Sequence, residues 1–137
     1  MKAQILVLST IVILSGSVMN LSSPSPATAM KQVRKTASVE FAFFRTHRQA
    51  NGAVATWGLT SNVDVIGFDV QRTYQDPADP YSMWEDVIYM PCTEERSFKY
   101  NDQEIFAGYI YYRVTAHLND GSSVISAIEG IRIVRHK

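Results

Sequence analysis

The chain has 137 residues, the size of a single domain, and its apolar share of 46% is enough for a packed core. That composition excludes a chain that is disordered throughout. Thirteen basic and thirteen acidic residues give a formal net charge of zero, so no overall field draws the chain to nucleic acid or to anionic membranes. The single cysteine, Cys92, excludes an intrachain disulfide, so core packing has to hold the fold.

The first 29 residues have the pattern of a secretory signal peptide. Lys2 precedes an apolar run at 5–19, and small and proline-rich residues then lead to Ala-Thr-Ala at 27–29. The run is shorter than the ~20 residues that span a bilayer, which favours cleavage over retention as a membrane anchor. We therefore expect a cleaved leader at 1–29 and a short extension at 30–37. The mature chain would have no membrane span and would be secreted, periplasmic or held at the cell surface.

Beyond the leader, the dominant pattern is an alternation of apolar and polar residues, interrupted by turn residues. In its clearest stretch, 110–119, the even positions are apolar and the odd positions are mostly polar, which predicts a strand with one face on a core. The turn sequence Asn-Asp-Gly-Ser at 119–122 then predicts a hairpin. A further strand is expected over about 123–134.

Similar stretches occur upstream, and each has one apolar face. These faces are made of Val39, Phe41 and Phe43; of Ala53, Ala55, Trp57 and Leu59; and of Ile66, Phe68 and Val70. Short strands are also expected at 85–90 and 98–100. About seven short strands without helical periodicity predict an all-β fold, a two-sheet antiparallel sandwich. Phe44, Tyr89 and Tyr111 fall outside the apolar faces and are expected at the surface.

Several short motifs follow one another in an order that is typical of one family. Trp57 stands in the second strand, Trp84 precedes Val87 by three positions, and Tyr112 opens a Tyr-x-Val-x-Ala pattern ahead of the Asp-Gly turn at 120–121. Over residues 38–134 the chain resembles the fibronectin type III domain, especially the form found in secreted and cell-surface proteins of bacteria. The resemblance implies an immunoglobulin-like sandwich that acts as a spacer or an adhesive unit.

The resemblance also implies roles for individual residues. Trp57 would lie at the centre of the sandwich, and Tyr112 would be the corner tyrosine, whose ring packs inside while its hydroxyl caps a backbone group of the preceding crossover. Ile105 or Phe106 would fill that crossover. The expected structural core comprises Trp57, Phe68, Val70, Tyr112 and Val114.

No residue pattern points to catalysis. The three histidines share no metal-ligand spacing, and Cys92 has no basic neighbour in the sequence that would activate its thiol. Asp76 and Asp79 offer oxygens to a cation such as calcium, but two carboxylates with a proline between them fall far short of a calcium loop. Phosphate-binding and nucleophile motifs are missing. We expect a protein that is not an enzyme, needs no cofactor or metal, and does not bind nucleic acid.

The long connection at 74–83 is the feature that suggests a function. It is longer than the hairpin usual for the family and carries Tyr74, Tyr81 and Met83 with two prolines. Prolines limit the entropy lost on binding, and tyrosines offer contact area with few rotors. These three residues are the expected binding surface of an exported interaction module with an unknown protein partner. Two alternatives stay open: a carbohydrate-binding platform of Tyr74, Tyr81 and Trp84, or a loop that only covers a sheet edge.

Overall fold

The computed structural model describes residues 38–135, which form eight strands. The strands are β1 (Phe41–Gln49), β2 (Gly52–Leu59), β3 (Val65–Thr73), β4 (Glu85–Pro91), β5 (Phe98–Asp102), β6 (Gly108–Leu118), β7 (Ser123–Ile125) and β8 (Glu129–Ile133). No helix in this part of the chain is long and apolar enough to cross a membrane. The expected leader at 1–29 and extension at 30–37 lie outside the described residues.

The strands form two antiparallel sheets that pack face to face, so the predicted all-β, two-sheet sandwich is confirmed. One sheet has three strands in the order β1-β2-β5. The other has five strands in the order β4-β3-β6, with β7 and β8 both paired to the far edge of β6.

Strands β7 and β8 are two parts of one interrupted edge strand. Between the two pairings with β6, the edge carries one surplus residue, which is a β-bulge. Ser126 bridges the break: its amide donates to the Val114 carbonyl at 2.8 Å, and its Oγ accepts from the Val114 amide at 2.9 Å. The single strand expected over 123–134 is therefore present with a break in it, and counting it once gives seven strands.

The core between the sheets is built around three aromatic rings. Trp57, Phe68 and Phe98 are at most 4% exposed, and their ring centroids lie 4.5–6.0 Å apart. The five residues that were predicted to form the structural core all belong to this layer and are completely buried. They are Trp57, Phe68, Val70, Tyr112 and Val114. Rings in contact across the two sheets contribute both buried apolar area and favourable edge geometry.

Two bulges shift the apolar alternation by one residue. The pairing of β1 with β2 is irregular just before Phe43, and it is Phe44 that joins the core cluster. The expectation that Phe44 lies at the surface is wrong for this reason. A second irregularity near the start of β3 buries Val65 and leaves Ile66 52% exposed, against the expectation for Ile66. A bulge adds one residue to a strand and thereby reverses the faces of the residues on one side of it.

A buried carboxylate joins the two sheets at one end of the sandwich. Asp102, at the end of β5, is 2% exposed. Its Oδ2 accepts from the Tyr112 hydroxyl at 2.8 Å, and its two oxygens accept from Arg72 Nη1 at 2.9 and 2.7 Å. Arg72 Nη1 also donates to the Glu104 carbonyl at 3.0 Å. Because Arg72, Asp102 and Tyr112 stand on β3, β5 and β6, the cluster fixes three strand ends to one another.

This cluster changes the role expected for the corner tyrosine. The Tyr112 hydroxyl was expected to cap a backbone group, and it instead donates to the side chain of Asp102. The reason is that Asp102 lies between Tyr112 and the guanidinium of Arg72, which holds the carboxylate in place. Ile105, 3% exposed, fills the crossover, whereas Phe106 is 69% exposed.

Burial of the cluster shifts the proton affinity of its members. Burial and the hydrogen bond to Asp102 raise the pKa of Tyr112 well above its ordinary value. Burial lowers the pKa of Arg72, but the hydrogen bonds to Glu85 and Asp102 outweigh this effect and raise it. Arg72 therefore stays charged and Tyr112 stays neutral in the folded protein throughout the physiological range.

We expect Trp57→Ala to lower the free energy of unfolding by about 3–5 kcal/mol, the usual cost of truncating a buried aromatic side chain. A domain of this size has about 5–15 kcal/mol in total, so the variant should be poorly folded at room temperature. The control is Tyr81→Ala, because Tyr81 is 89% exposed and its loss should change stability by less than about 0.5 kcal/mol. Thermal and urea melts decide; equal melting temperatures for Trp57→Ala and the wild type would contradict the core assignment.

We expect the stability of the wild-type protein to fall as the pH rises above about 10, the ordinary tyrosine pKa. Because the pKa of Tyr112 is raised in the folded state, the unfolded chain loses this proton first and alkaline pH favours unfolding. In Tyr112→Phe the decline should be shallower. The variant should also be less stable by about 1–3 kcal/mol at neutral pH, because Asp102 loses a donor. Urea melts between about pH 8 and pH 11 test this; parallel pH profiles would refute it.

Candidate functional site

One end of the sandwich gathers the connections that carry exposed apolar side chains. Strands β3 and β5 end there, as the contact between Arg72 and Asp102 demonstrates, and β4 and β6 begin there because the sheets are antiparallel. We call this end the loop pole and define it as residues 50–51, 74–84, 103–109 and 134–135. It holds six of the twelve large exposed apolar side chains in the described residues, namely Tyr74, Tyr81, Met83, Phe106, Tyr109 and Val134.

The connection 74–84 is held in shape by its own hydrogen bonds. The carboxylates of Asp76 and Asp79 each accept from the amide two residues further along, both at 2.9 Å. Gln75 closes the loop, because its Oε1 accepts from the Met83 amide at 2.7 Å. Tyr81 and Met83 are left 89% and 78% exposed on this ordered frame.

Tyr74 has a different environment from Tyr81 and Met83. Its ring is 38% exposed, its hydroxyl accepts from the Phe106 amide at 3.2 Å, and the two rings lie 5.8 Å apart at 56°. Tyr74 thus ties the connection 74–84 to the crossover between β5 and β6. The structure brings Tyr74 together with Phe106, and it places Tyr81 and Met83 on the adjoining connection.

Sequence reasoning missed two members of the loop pole, Phe106 and Tyr109. Ile105 and Phe106 were equal candidates for the buried crossover position, and only the path of the backbone decides which side chain points inward. Tyr109 falls on the polar positions of β6 together with Tyr111, so the alternation that placed Tyr111 at the surface also identifies Tyr109. Tyr109 is 60% exposed, and the Arg132 guanidinium lies 5.8 Å from its ring.

The outer face of the five-stranded sheet, which points away from the core, carries a second group of polar and aromatic side chains. The Arg113 guanidinium lies 4.1 Å from the centre of the Trp84 ring, a cation–π contact. Burial lowers the pKa of Arg113. Arg113 Nε donates to Gln71 Oε1 at 2.7 Å, and Gln71 Nε2 donates to Asp86 Oδ1 at 2.6 Å. One face of the Trp84 ring is therefore covered by Arg113. Of the three rings in the alternative carbohydrate platform, Tyr74, Tyr81 and Trp84, two already contact other side chains, because Tyr74 packs against Phe106.

A polar cleft of about 320 Å³ opens between β4 and β5 beside the loop pole. Its walls include Arg72, Glu85, Asp86, Tyr100, Asp102 and Glu104. Burial and the charge of Asp102 raise the pKa of Tyr100. Arg72 is the one cation among the residues that line the cleft, and it is already bound to two of the four carboxylates there, Asp102 and Glu85.

The described residues do not bring a set of metal ligands together. No group of three His, Cys, Asp or Glu side chains within 38–135 could hold a metal ion. Burial raises the pKa of Cys92, which keeps its thiol protonated and unreactive. His117 Nε2 lies 2.6 Å from Asp69 Oδ2 on the outer face.

The chain matches no family model and no curated protein. Among solved structures, it is similar to pectate lyase Pel3 from Pectobacterium carotovorum, with a TM-score of 0.53 and 14% identity over 72% of this chain and 28% of that one. It is also similar to pectate lyase PelI from Erwinia chrysanthemi, solved with tetragalacturonic acid, with a TM-score of 0.49 and 19% identity over 69% of this chain and 28% of that one. The chain thus corresponds to little more than a quarter of each lyase. At such identity the likeness to Pel3 concerns the fold alone.

Proposed function

We propose that the chain is an exported, non-catalytic interaction module of the fibronectin type III kind, which binds a protein partner through the loop pole. The family assignment is supported by the central position of Trp57 and by the burial of the Tyr112 ring in the same core. In constant-type immunoglobulin domains the fourth strand belongs to the sheet of the first, second and fifth strands. Here β4 pairs with β3 in the other sheet, so the chain differs from the constant-type domains in the placement of its fourth strand.

The exposure of Tyr81, Met83 and Phe106 at the loop pole is the observation that carries the proposal. Their side chains are 69–89% exposed, although aromatic residues and methionine are the types enriched where proteins contact one another. The hydrogen bonds of Gln75, Asp76 and Asp79 order the connection before any partner arrives. Preorganisation of this kind lowers the entropy lost on binding.

A protein partner is favoured over a carbohydrate at this particular surface. A sugar platform needs free ring faces, whereas Tyr74 packs against Phe106 and the face of Trp84 is occupied by Arg113. A protein can instead enclose the flexible side chain of Met83 and the fully projecting ring of Tyr81, since interface cores bury such anchors in complementary pockets.

Export is proposed on the leader pattern alone, and it has a direct test. We expect the protein recovered from outside the cytoplasm to begin at Met30, because the tripeptide at 27–29 has the small residues that signal peptidase prefers. N-terminal sequencing or intact-mass measurement decides. Recovery of an intact 137-residue chain from the membrane fraction would mean that the leader is an anchor.

Binding through the loop pole can be tested by site-specific photo-crosslinking in producing cells. A photoreactive amino acid at position 81 should give a discrete adduct with one partner protein, which mass spectrometry identifies. The matched control is the same amino acid at Val63, which is 68% exposed at the opposite end of the sandwich. The same partner captured with equal yield at both positions would contradict the proposal.

Paired substitutions then test the energetics with the purified partner. Tyr81→Ser with Met83→Ser should weaken binding at least tenfold, about 1.4 kcal/mol, and leave the melting temperature unchanged. Val63→Ser with Ile66→Ser removes similarly exposed apolar side chains at the other end and should leave the dissociation constant unchanged. Isothermal titration calorimetry measures both. If the loop variant binds normally, the contact lies elsewhere and the connection 74–84 has another role.

A further inference from the structure

Two tyrosine rings on the outer face of the five-stranded sheet are seated on glycines. A Cβ atom on Gly130 would stand 2.7–2.8 Å from ring carbons of Tyr111, and a Cβ atom on Gly67 would collide with the hydroxyl end of Tyr89. Both rings therefore lie over the backbone in places where a side chain on the neighbouring strand would exclude them. Tyr89 is 52% exposed, so a ring that rests on the sheet on one side still faces solvent on the other.

The two seats lie far apart on the same face. Gly67 pairs with His117 of β6 and Gly130 pairs with Tyr111 of β6, so they are six residues apart along that strand (117 minus 111). At about 3.3 Å per residue, this is about 20 Å along the strand, and the seats lie on opposite sides of β6, about 10 Å apart across it.

A polar strip fills the space between the two seated rings. Its members point to the outer face from three neighbouring strands: Asp69 and Gln71 on β3, Asp86 on β4, and Arg113, Thr115 and His117 on β6. They are linked to one another by the hydrogen bonds Arg113–Gln71–Asp86 and by the contact of His117 with Asp69. The strip thus presents planar hydrogen-bonding groups that are already held in place by one another.

We propose that this face is a binding site for a neutral oligosaccharide, with one sugar stacked on Tyr89, another on Tyr111, and the hydroxyls between them bonded to the polar strip. A pyranose presents C–H groups on its face and hydroxyls around its rim. The exposed ring of Tyr89 and the partly exposed ring of Tyr111 suit the first, and the amide, carboxylate and guanidinium groups suit the second. The site is separate from the loop pole, so it stands whether or not a protein binds there.

The charge distribution favours a neutral glycan over an anionic one. The strip carries two carboxylates, Asp69 and Asp86, and one guanidinium, Arg113, so it has no positive surplus to attract an anionic polymer. A protein is disfavoured because interface cores are depleted in charge and concentrate their apolar anchors centrally. Here the centre is polar and charged, and the rings lie at the two ends.

The test uses the exported protein with a panel of neutral hexasaccharides: cellohexaose, xylohexaose, mannohexaose and laminarihexaose. We expect at least one to bind at millimolar concentration or below, with backbone amide shifts in NMR spectra confined to β3, β4, β6 and β8. Tyr89→Ala and Tyr111→Ala should each weaken that binding at least tenfold. Gly67→Ala should also weaken it, because the new methyl group displaces the Tyr89 ring without removing it.

The matched control is Phe43→Ala. The Phe43 ring is seated over Gly58 in the same way, but on the three-stranded sheet, where the polar strip is not present. This variant, checked by its melting curve, should bind the hexasaccharide like the wild type. Three results would each overturn the proposal: no neutral hexasaccharide binds at millimolar concentration, a heparin hexasaccharide binds more tightly than every neutral one, or Tyr89→Ala and Tyr111→Ala abolish capture of a protein partner and leave glycan binding unchanged.

Discussion

The buried carboxylate of Asp102 is the interaction on which the remaining structure depends. It receives hydrogen bonds from Tyr112 and Arg72, and it is 2% exposed. A buried carboxylate that lost these partners would be an uncompensated charge, at a cost of several kcal/mol. The three strands that carry these residues are therefore held in one relation at their ends. The connections of the loop pole start from those same strand ends. Their positions are therefore set by the hydrogen bonds of Asp102.

Parts of this fold follow from the sequence by simple rules, and β6 is the clearest case. Its apolar and polar residues alternate without interruption, and Ile110, Tyr112, Val114 and Ala116 are all buried. In β1 and β3 the same rule fails, because a bulge depends on which strand lies alongside and leaves no mark in the alternation itself. The sequence did contain one unused signal: Arg72 continues the inward face of Phe68 and Val70, and a charge at such a position requires a buried partner.

The candidate surfaces were predictable to different degrees. Tyr81 and Met83 lie on a polar connection bounded by strands, so their exposure follows from the position of that connection. The seating of Tyr89 on Gly67 could not be foreseen, because it needs the register between β3 and β4 and a ring that leans along the strand. The contact between Trp84 and Arg113 likewise joins the connection 74–84 to β6, which are not neighbours in the sequence.

The two surfaces adjoin each other where β4 begins. Trp84 ends the connection 74–84 of the loop pole, and the Arg113 side chain that lies over it belongs to the polar strip. Glu85, the next residue, binds Arg72 of the buried cluster at 3.0 Å. Two consecutive residues, Trp84 and Glu85, thus connect the loop pole to the polar strip and to the buried cluster. The start of β4 is therefore structurally important, although its own side chains are exposed.

The break at Ser126 bears on how copies of the chain behave at high concentration. An uninterrupted edge strand exposes a row of amides and carbonyls on which another chain can add a strand and start an aggregate. Here that edge is divided into β7, with three residues, and β8, with five, and a bulge lies between them. At the opposite edge, β4 begins with the carboxylates of Glu85 and Asp86 and ends at Pro91. Both edges are poor templates for strand addition, so the five-stranded sheet can display its outer face without promoting its own polymerisation.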